Sequence, residues 1–142
     1  MEQSAREKFY ERIEAAPLAA RGFFESVAEH FRQRNDVDVR FTHTNVADMR
    51  LWAVWETDTG KQREQVFATM TWQPKNLAVF ARTKLTPEEF SCLGFESAAK
   101  PNADSEPQYS DIHLFEEDWR YGALPFIRAL EAAKMKFPPQ LD

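Results

Sequence analysis

From residue 37 onward, apolar and polar side chains alternate with period two through four segments, 37–43, 49–56, 63–72 and 77–84. Such alternation predicts β-strands with one buried face. One parity collects Val37, Val39 and Phe41, then Leu51, Ala53 and Trp55, then Val66, Ala68, Met70 and Trp72, then Leu77, Val79 and Ala81. This set reads as the core face. A second face that met only water would be plainly hydrophilic. Instead it carries Trp52, Val54, Phe67 and Phe80 among Arg40, Arg50, Arg63, Arg82 and Lys84. Something has to cover those aromatics: the protein's own helices, another copy, or a ligand.

Helical patterns flank the strands. Residues 4–15 start at a capping Ser4, with Glu7 three positions on and Phe9 and Ile13 on one face. A second helix over 17–34 aligns Phe23, Phe24, Val27 and Phe31. Thr57-Asp58-Thr59-Gly60 reads as a hairpin turn and Gln73-Pro74-Lys75-Asn76 as the next, so the strands form an antiparallel meander. Thr86-Pro87-Glu88-Glu89 combines a cap, a proline at the first helical position and a glutamate able to close a capping box. Leu93 and Phe95 are expected to tuck in beside Phe90. Residues 97–107 form a polar loop, and a fifth strand falls at 108–115 with Ile112 and Leu114 on one side. A closing helix starts near Glu116, is renewed at Pro125, and presents Phe126, Ile127, Leu130, Ala133 and Phe137 before Pro138-Pro139 stops it.

This order predicts an α+β fold: a mostly antiparallel sheet of about five strands, two N-terminal helices and one C-terminal helix, in a single domain over 1–142. The apolar stripe of the closing helix needs a partner. The expectation is that it covers the second sheet face, with the first two helices on the other.

Composition narrows the class. The 142 residues are 43% hydrophobic and 29% charged, with twelve Phe, four Trp and only four Gly, which suits a folded core and excludes extensive disorder. The net charge is −5. Residues 1–84 are nearly balanced, with thirteen basic and twelve acidic side chains, whereas 85–142 hold five and eleven. Net acidity argues against nucleic acid, whose phosphates demand neutralisation. Cys92 is the only cysteine, which excludes an internal disulfide and a multi-cysteine zinc site and makes the cytoplasm the default. The charged opening residues predict no signal peptide, and no apolar run approaches a membrane span.

Motifs for chemistry are sparse. Aromatics rimmed by arginine on a sheet are a way to stack bases or nucleotides, so Trp52, Phe67, Phe80, Arg40 and Arg82 are the candidate ligand-binding residues. His43, Asp111 and His113 fall on predicted strands, but no paired-histidine or cysteine spacing marks a metal site, and no metal or other cofactor is expected. Cys92, between Phe90 and Leu93, reads as a buried, inert thiol. No glycine-rich phosphate loop or nucleophile elbow occurs, and no catalytic residue is assigned. Glu116-Glu117-Asp118 reads as acidic residues favouring a helix N-terminus, with Trp119 and Tyr121 as core or interface anchors.

The stretch Asp111-Ile112-His113-Leu114-Phe115, an acidic step, and a closing helix over 126–137 behind a meander of strands form a recognisable pattern. It resembles a family of small bacterial domains of unknown function found in chains labelled predicted transport proteins. The likeness spans about the last two-thirds of the chain. It implies the order of the fold and no catalytic residues.

The functional expectation is a cytoplasmic domain that works by binding, through protein docking or self-association as a homodimer, with no membrane involvement. Two alternatives stand beside it. One is a small-molecule or nucleotide sensor using the aromatic and arginine sheet face. The other is an enzyme with dispersed residues such as His43, Asp111 and His113.

Overall fold

A computed structural model describes residues 4–95, 100–101 and 109–139. The chain runs α1 (Ala5–Glu14), α2 (Leu18–Arg32), β1 (Val37–His43), β2 (Ala47–Glu56), β3 (Gln62–Gln73), β4 (Ala78–Thr83), α3 (Pro87–Cys92), β5 (Lys100–Pro101), β6 (Ser110–Leu114), α4 (Glu116–Trp119) and α5 (Leu124–Lys134). The strands form one antiparallel sheet in the order β1-β2-β3-β4-β6-β5, in which β5 is a two-residue rung on the end. The class is α+β, as the pattern of elements predicts.

Local rules account for the boundaries. Ser4 Oγ accepts the Glu7 amide at 3.2 Å and opens α1. Thr86 and Glu89 form the reciprocal capping box of α3, at 3.1 and 2.8 Å. Gly60 takes a φ of 80° in the β2–β3 turn, where a side chain would be strained. In the next turn Leu77 adopts a φ of 50° and is 61% exposed. Its expected place on the core face is therefore corrected. The turn extends through Leu77, and inward alternation resumes at Val79 and Ala81.

The core lies between one face of the sheet and a layer of helices. Helix α2 buries Ala20, Phe23, Phe24, Val27, Ala28 and Phe31, a stripe recurring every three or four residues. Phe9 of α1 meets Phe24 edge-on at 5.4 Å and lies 5.3 Å from Phe41 of β1. Trp119 of α4 meets Trp72 of β3 at 5.9 Å. These contacts put α1, α2 and α4 on the face of Leu51, Met70 and Trp72.

Helix α5 joins the same layer. Its Phe126 packs 5.9 Å from Phe23 of α2, its Glu131 takes His30 and Arg34 at the end of α2, and Phe137 beyond it stacks on Trp55 at 5.9 Å. The expectation that the closing helix covers the second sheet face is thus corrected. Its apolar stripe packs on the helix-covered face of the sheet at β3, with Phe126 against Phe23 of α2, and its polar side is tied to the end of α2 and to the start of β1 by charge. Lys134 reaches Asp36 at 2.9 Å, and Asp36 also receives Arg34 at 2.8 Å. Among the described residues no helix crosses the second face.

A β-bulge explains a further departure. Leu51 pairs with Ala68 but Trp52 pairs with Val66, so β3 carries one extra residue, Phe67. The insertion swaps the expected faces of two neighbours. Phe67 turns into the core, fully buried and 5.8 Å from Phe31 of α2, while Val66 turns outward and is only half-buried. Cys92 also departs from expectation. It is exposed, because it stands two positions, about 200° of helix, from Phe90, the buried residue of α3. Leu93 is 37% exposed, whereas Phe95 packs on Phe90 and Phe126 at 6.1 and 5.8 Å. Trp119 is buried, but Tyr121 stands almost free in solvent.

Phe67→Ala is expected to cost about 3–5 kcal/mol of unfolding free energy, since it empties a closed site, and Phe80→Ala less than half of that. Chemical denaturation of both variants measures the difference. The Arg34 and Lys134 partners hold the Asp36 carboxyl down at about 2, through the Arg34 hydrogen bond first. Its contribution is complete above the unfolded carboxyl range near pH 4 and is lost as pH falls toward 2. Stability curves between pH 5 and 2 should therefore be flatter for Asp36→Asn than for the parent.

Candidate functional site

The second face is arranged in rungs that cross the sheet. One runs Arg40, Arg50, Thr69, Arg82, Asp111 from β1 to β6. The next runs Thr42, Asp48, Thr71, Phe80, His113, with Asp48 and Thr71 following the antiparallel register. On the other side of the arginine rung, Asp38 faces Trp52, and Trp52 faces Val66.

Each arginine is steered by a carboxylate of the same face. Arg40 stacks its guanidinium 4.6 Å over Trp52 and bonds Asp38 and Glu64 at 3.0 and 2.5 Å. Arg50 donates through Nε to the buried Asp48 at 3.1 Å. Arg82 grips Asp111 with Nε and Nη2, at 2.8 and 3.3 Å. The Asp111 hydrogen bond raises the Arg82 pKa, and the Glu64 bond raises that of Arg40. Both groups stay cationic throughout the physiological range.

These side chains cover the aromatics. The Arg40 guanidinium lies over Trp52, His113 packs 5.1 Å from Phe80, and Phe115 stacks on His113 at 6.3 Å. Long polar side chains commonly lay their apolar stems on such surface while their charged ends reach water. Tyr109, just before β6, completes the arrangement. Its hydroxyl donates to the carbonyl of Val66, beside the bulge, at 3.0 Å, and Lys84 Nζ sits 3.9 Å over its ring. Burial pushes the Tyr109 hydroxyl above its ordinary pKa.

Between Arg50 and Arg82 the face dips into a depression of about 420 Å³. Thr69 and Thr71 lie along it, with Val66, Phe80 and Tyr109 as apolar sides. The Thr71 hydroxyl is occupied by the carbonyl of Ala47 at 2.7 Å. Arg50 is bonded only through Nε among the described residues, which leaves its terminal nitrogens for a ligand.

Of the five residues predicted to bind a ligand, Trp52, Phe80, Arg40 and Arg82 lie on this face, and Arg82 and Phe80 line the depression. Phe67 does not, because the bulge turns it into the core. The cross-strand row of Trp52, Phe67 and Phe80 therefore does not form. Arg50 and Tyr109 were missed as site residues. Arg50 shares the parity of Arg40 and Trp52, and Tyr109 that of Asp111 and His113, so periodicity held a signal for both.

Chemistry by the dispersed trio loses its geometry. His43 ends the edge strand β1, while Asp111 and His113 lie on β6, four strand steps away. At about 4.8 Å per step this is roughly 19 Å. Among the described residues no three of His, Cys, Asp and Glu converge as a metal set. No family model, curated protein or solved structure matches this chain, and nothing in those comparisons bears on the resemblance to the family of small bacterial domains.

Tyr109→Phe should lose about 1–3 kcal/mol, the net worth of two hydrogen bonds, since the hydroxyl both donates to the Val66 carbonyl and accepts from Gln65 Nε2 at 3.3 Å. Urea unfolding with an unchanged m-value is the measurement.

Proposed function

We propose that the protein works by binding, and that the sheet face opposite its described helices takes a small flat organic anion such as an aromatic carboxylate or a mononucleotide. One observation carries this reading: Arg50 and Arg82 are cross-strand neighbours on either side of Thr69, at the rim of a depression with apolar sides. Two guanidinium groups flanking a hydroxyl suit an oxyanion, which they can bond in a planar, charge-assisted manner. The flat remainder of the ligand would lie against Phe80 and Tyr109. The carboxylates Asp48 and Asp111 hold the guanidinium groups in place beforehand, so less side-chain freedom is lost on binding.

The charge of the face supports a small ligand over a polyanion. Asp38, Asp48, Glu64 and Asp111 offset Arg40, Arg50 and Arg82, and a long phosphate backbone would meet four acids against these three bases. The cytoplasmic assignment belongs to the same proposal. It is supported by the lone Cys92, and no described helix is long and apolar enough to cross a membrane. Docking of a protein concerns a different surface, the sheet edge.

Titration with adenosine monophosphate and with benzoate, followed by tryptophan emission and calorimetry, tests the reading. Binding of either is expected, weakened about tenfold or more by Arg50→Ala or Arg82→Ala, the loss of one charge-assisted contact. Arg63→Ala, exposed and outside the depression, should leave it unchanged. No heat, no change in emission and no thermal shift with either compound would refute the proposal.

A further inference from the structure

The two ends of the sheet differ. At one end β6 is followed by β5, a two-residue strand containing Pro101, which has no backbone donor. At the other end β1 is a seven-residue edge without proline, glycine, lysine or a bulge, and its register with β2 is unbroken from Val37 to His43. Edge strands usually carry some such device, because unpaired backbone groups invite another strand.

The backbone of β1 has a definite polarity. The Val54 amide donates to the Asp36 carbonyl at 3.0 Å, so Asp36 and Val54 form a hydrogen-bonded pair of the ladder. Alternation then directs the backbone groups of Asp38, Arg40 and Thr42 toward β2, and those of Val37, Val39, Phe41 and His43 away from the sheet. The outward donors and acceptors thus belong to Val37, Val39 and Phe41, whose side chains pack with the core, and to the exposed His43 at the strand end.

We infer that β1 pairs with β1 of a second copy of this chain, antiparallel and centred on Val39, to make one continuous sheet through a two-fold axis. In this register Val39 meets its own counterpart, and Val37 meets Phe41 of the other copy twice. On the open face Asp38 meets Arg40 of the other copy twice, at the closely spaced positions that are not hydrogen-bonded to each other across the interface. Neighbouring in-phase registers are worse. Centring on Asp38 or on Arg40 sets like charges opposite each other, and centring on Phe41 loses both ion pairs. Val39 and Phe41 are only half-buried in the single chain, as apolar residues awaiting an adjacent strand would be. Asp38 and Arg40 already bond each other at 3.0 Å within the chain, so dimerisation exchanges the two pairs of the separate chains for two across the axis, and their part is to set the register.

The full chain, run through size-exclusion chromatography with light scattering and through analytical ultracentrifugation, is expected to be a dimer. Val39→Pro removes an outward donor and no intrachain ladder bond, and should give a folded monomer. Asp38→Arg and Arg40→Asp should each raise the dissociation constant about tenfold or more, by placing like charges opposite each other twice. The double exchange Asp38→Arg/Arg40→Asp should restore the dimer. An equimolar mixture of the two single variants should form a heterodimer, a result that does not depend on how Val39→Pro folds. A parent chain that stays monomeric at millimolar concentration overturns the inference. A dimer indifferent to all these changes overturns it equally, since its interface would then lie elsewhere.

Discussion

At Phe67 the ladder between β2 and β3 takes two residues of one strand against one of the other, and the faces on either side of that step follow from it. On one side Ala68, Met70 and Trp72 point under the helices. On the other, Gln65 and Arg63 stand opposite Ala53 and Trp55 where Val66 and Glu64 would otherwise be. Phe67 itself becomes the sheet's contact with Phe31 of α2, deep in the core. The same bend turns Val66 outward, where its carbonyl accepts the Tyr109 hydroxyl. One inserted residue thus links the packing of the longest helix to the architecture of the opposite face. Bulges commonly re-aim side chains near sites in this way.

A layer of helices on one side leaves the sheet's other face to cover its own aromatics. Among the described residues, arginine stacking, carboxylate pairs, His113 and the Tyr109–Lys84 contact do so. Exposed ion pairs of this kind add little stability singly, and their consequence is positional: they set where each guanidinium points. The face also carries a cost. Trp52 Nε1 is shut off from solvent without a partner among the described residues, an orphaned donor worth about 1–3 kcal/mol of lost solvation. The proposed ligand site and the proposed dimer edge use different parts of this surface. The depression lies over β2–β4, whereas the edge is the far side of β1, so in a dimer two ligand sites would lie on one continuous face.

Local chemistry was legible in the chain wherever a few neighbouring residues decide the outcome. The capping box at Thr86, the cap at Ser4, the glycine turn at Gly60 and the alternation in β1, β2 and β6 all follow from short-range rules. The inward set of β3 was legible from Ala68 onward. It failed at Val66 and Phe67, because a period-two reading has no term for an inserted residue. Leu77 failed because its turn ran one residue longer than Gln73-Pro74-Lys75-Asn76. The side on which α5 packs was not legible at all. Its apolar stripe is compatible with either sheet face, and its placement beside α2 comes from partners far apart in sequence, Glu131 with His30 and Arg34, and Lys134 with Asp36. Of the site, Arg82, Phe80 and Arg50 were recognisable on the face by parity, while the rung that sets Arg50 and Arg82 on either side of Thr69 and the tie of Tyr109 to the bulge come from strand pairing.

The bulge at Phe67 sends this ring into a one-sided helical layer, and among the described residues no helix covers the face of Trp52 and Phe80. Nuclear Overhauser contacts between assigned side chains measure this directly. Cross-peaks are expected from Phe67 to Phe31 and from Trp52 to Val66, with none from Trp52 or Phe80 to Phe126 or Leu130 of α5. Contacts from Phe67 to Trp52 and Phe80, or from α5 to either of those rings, would contradict this arrangement.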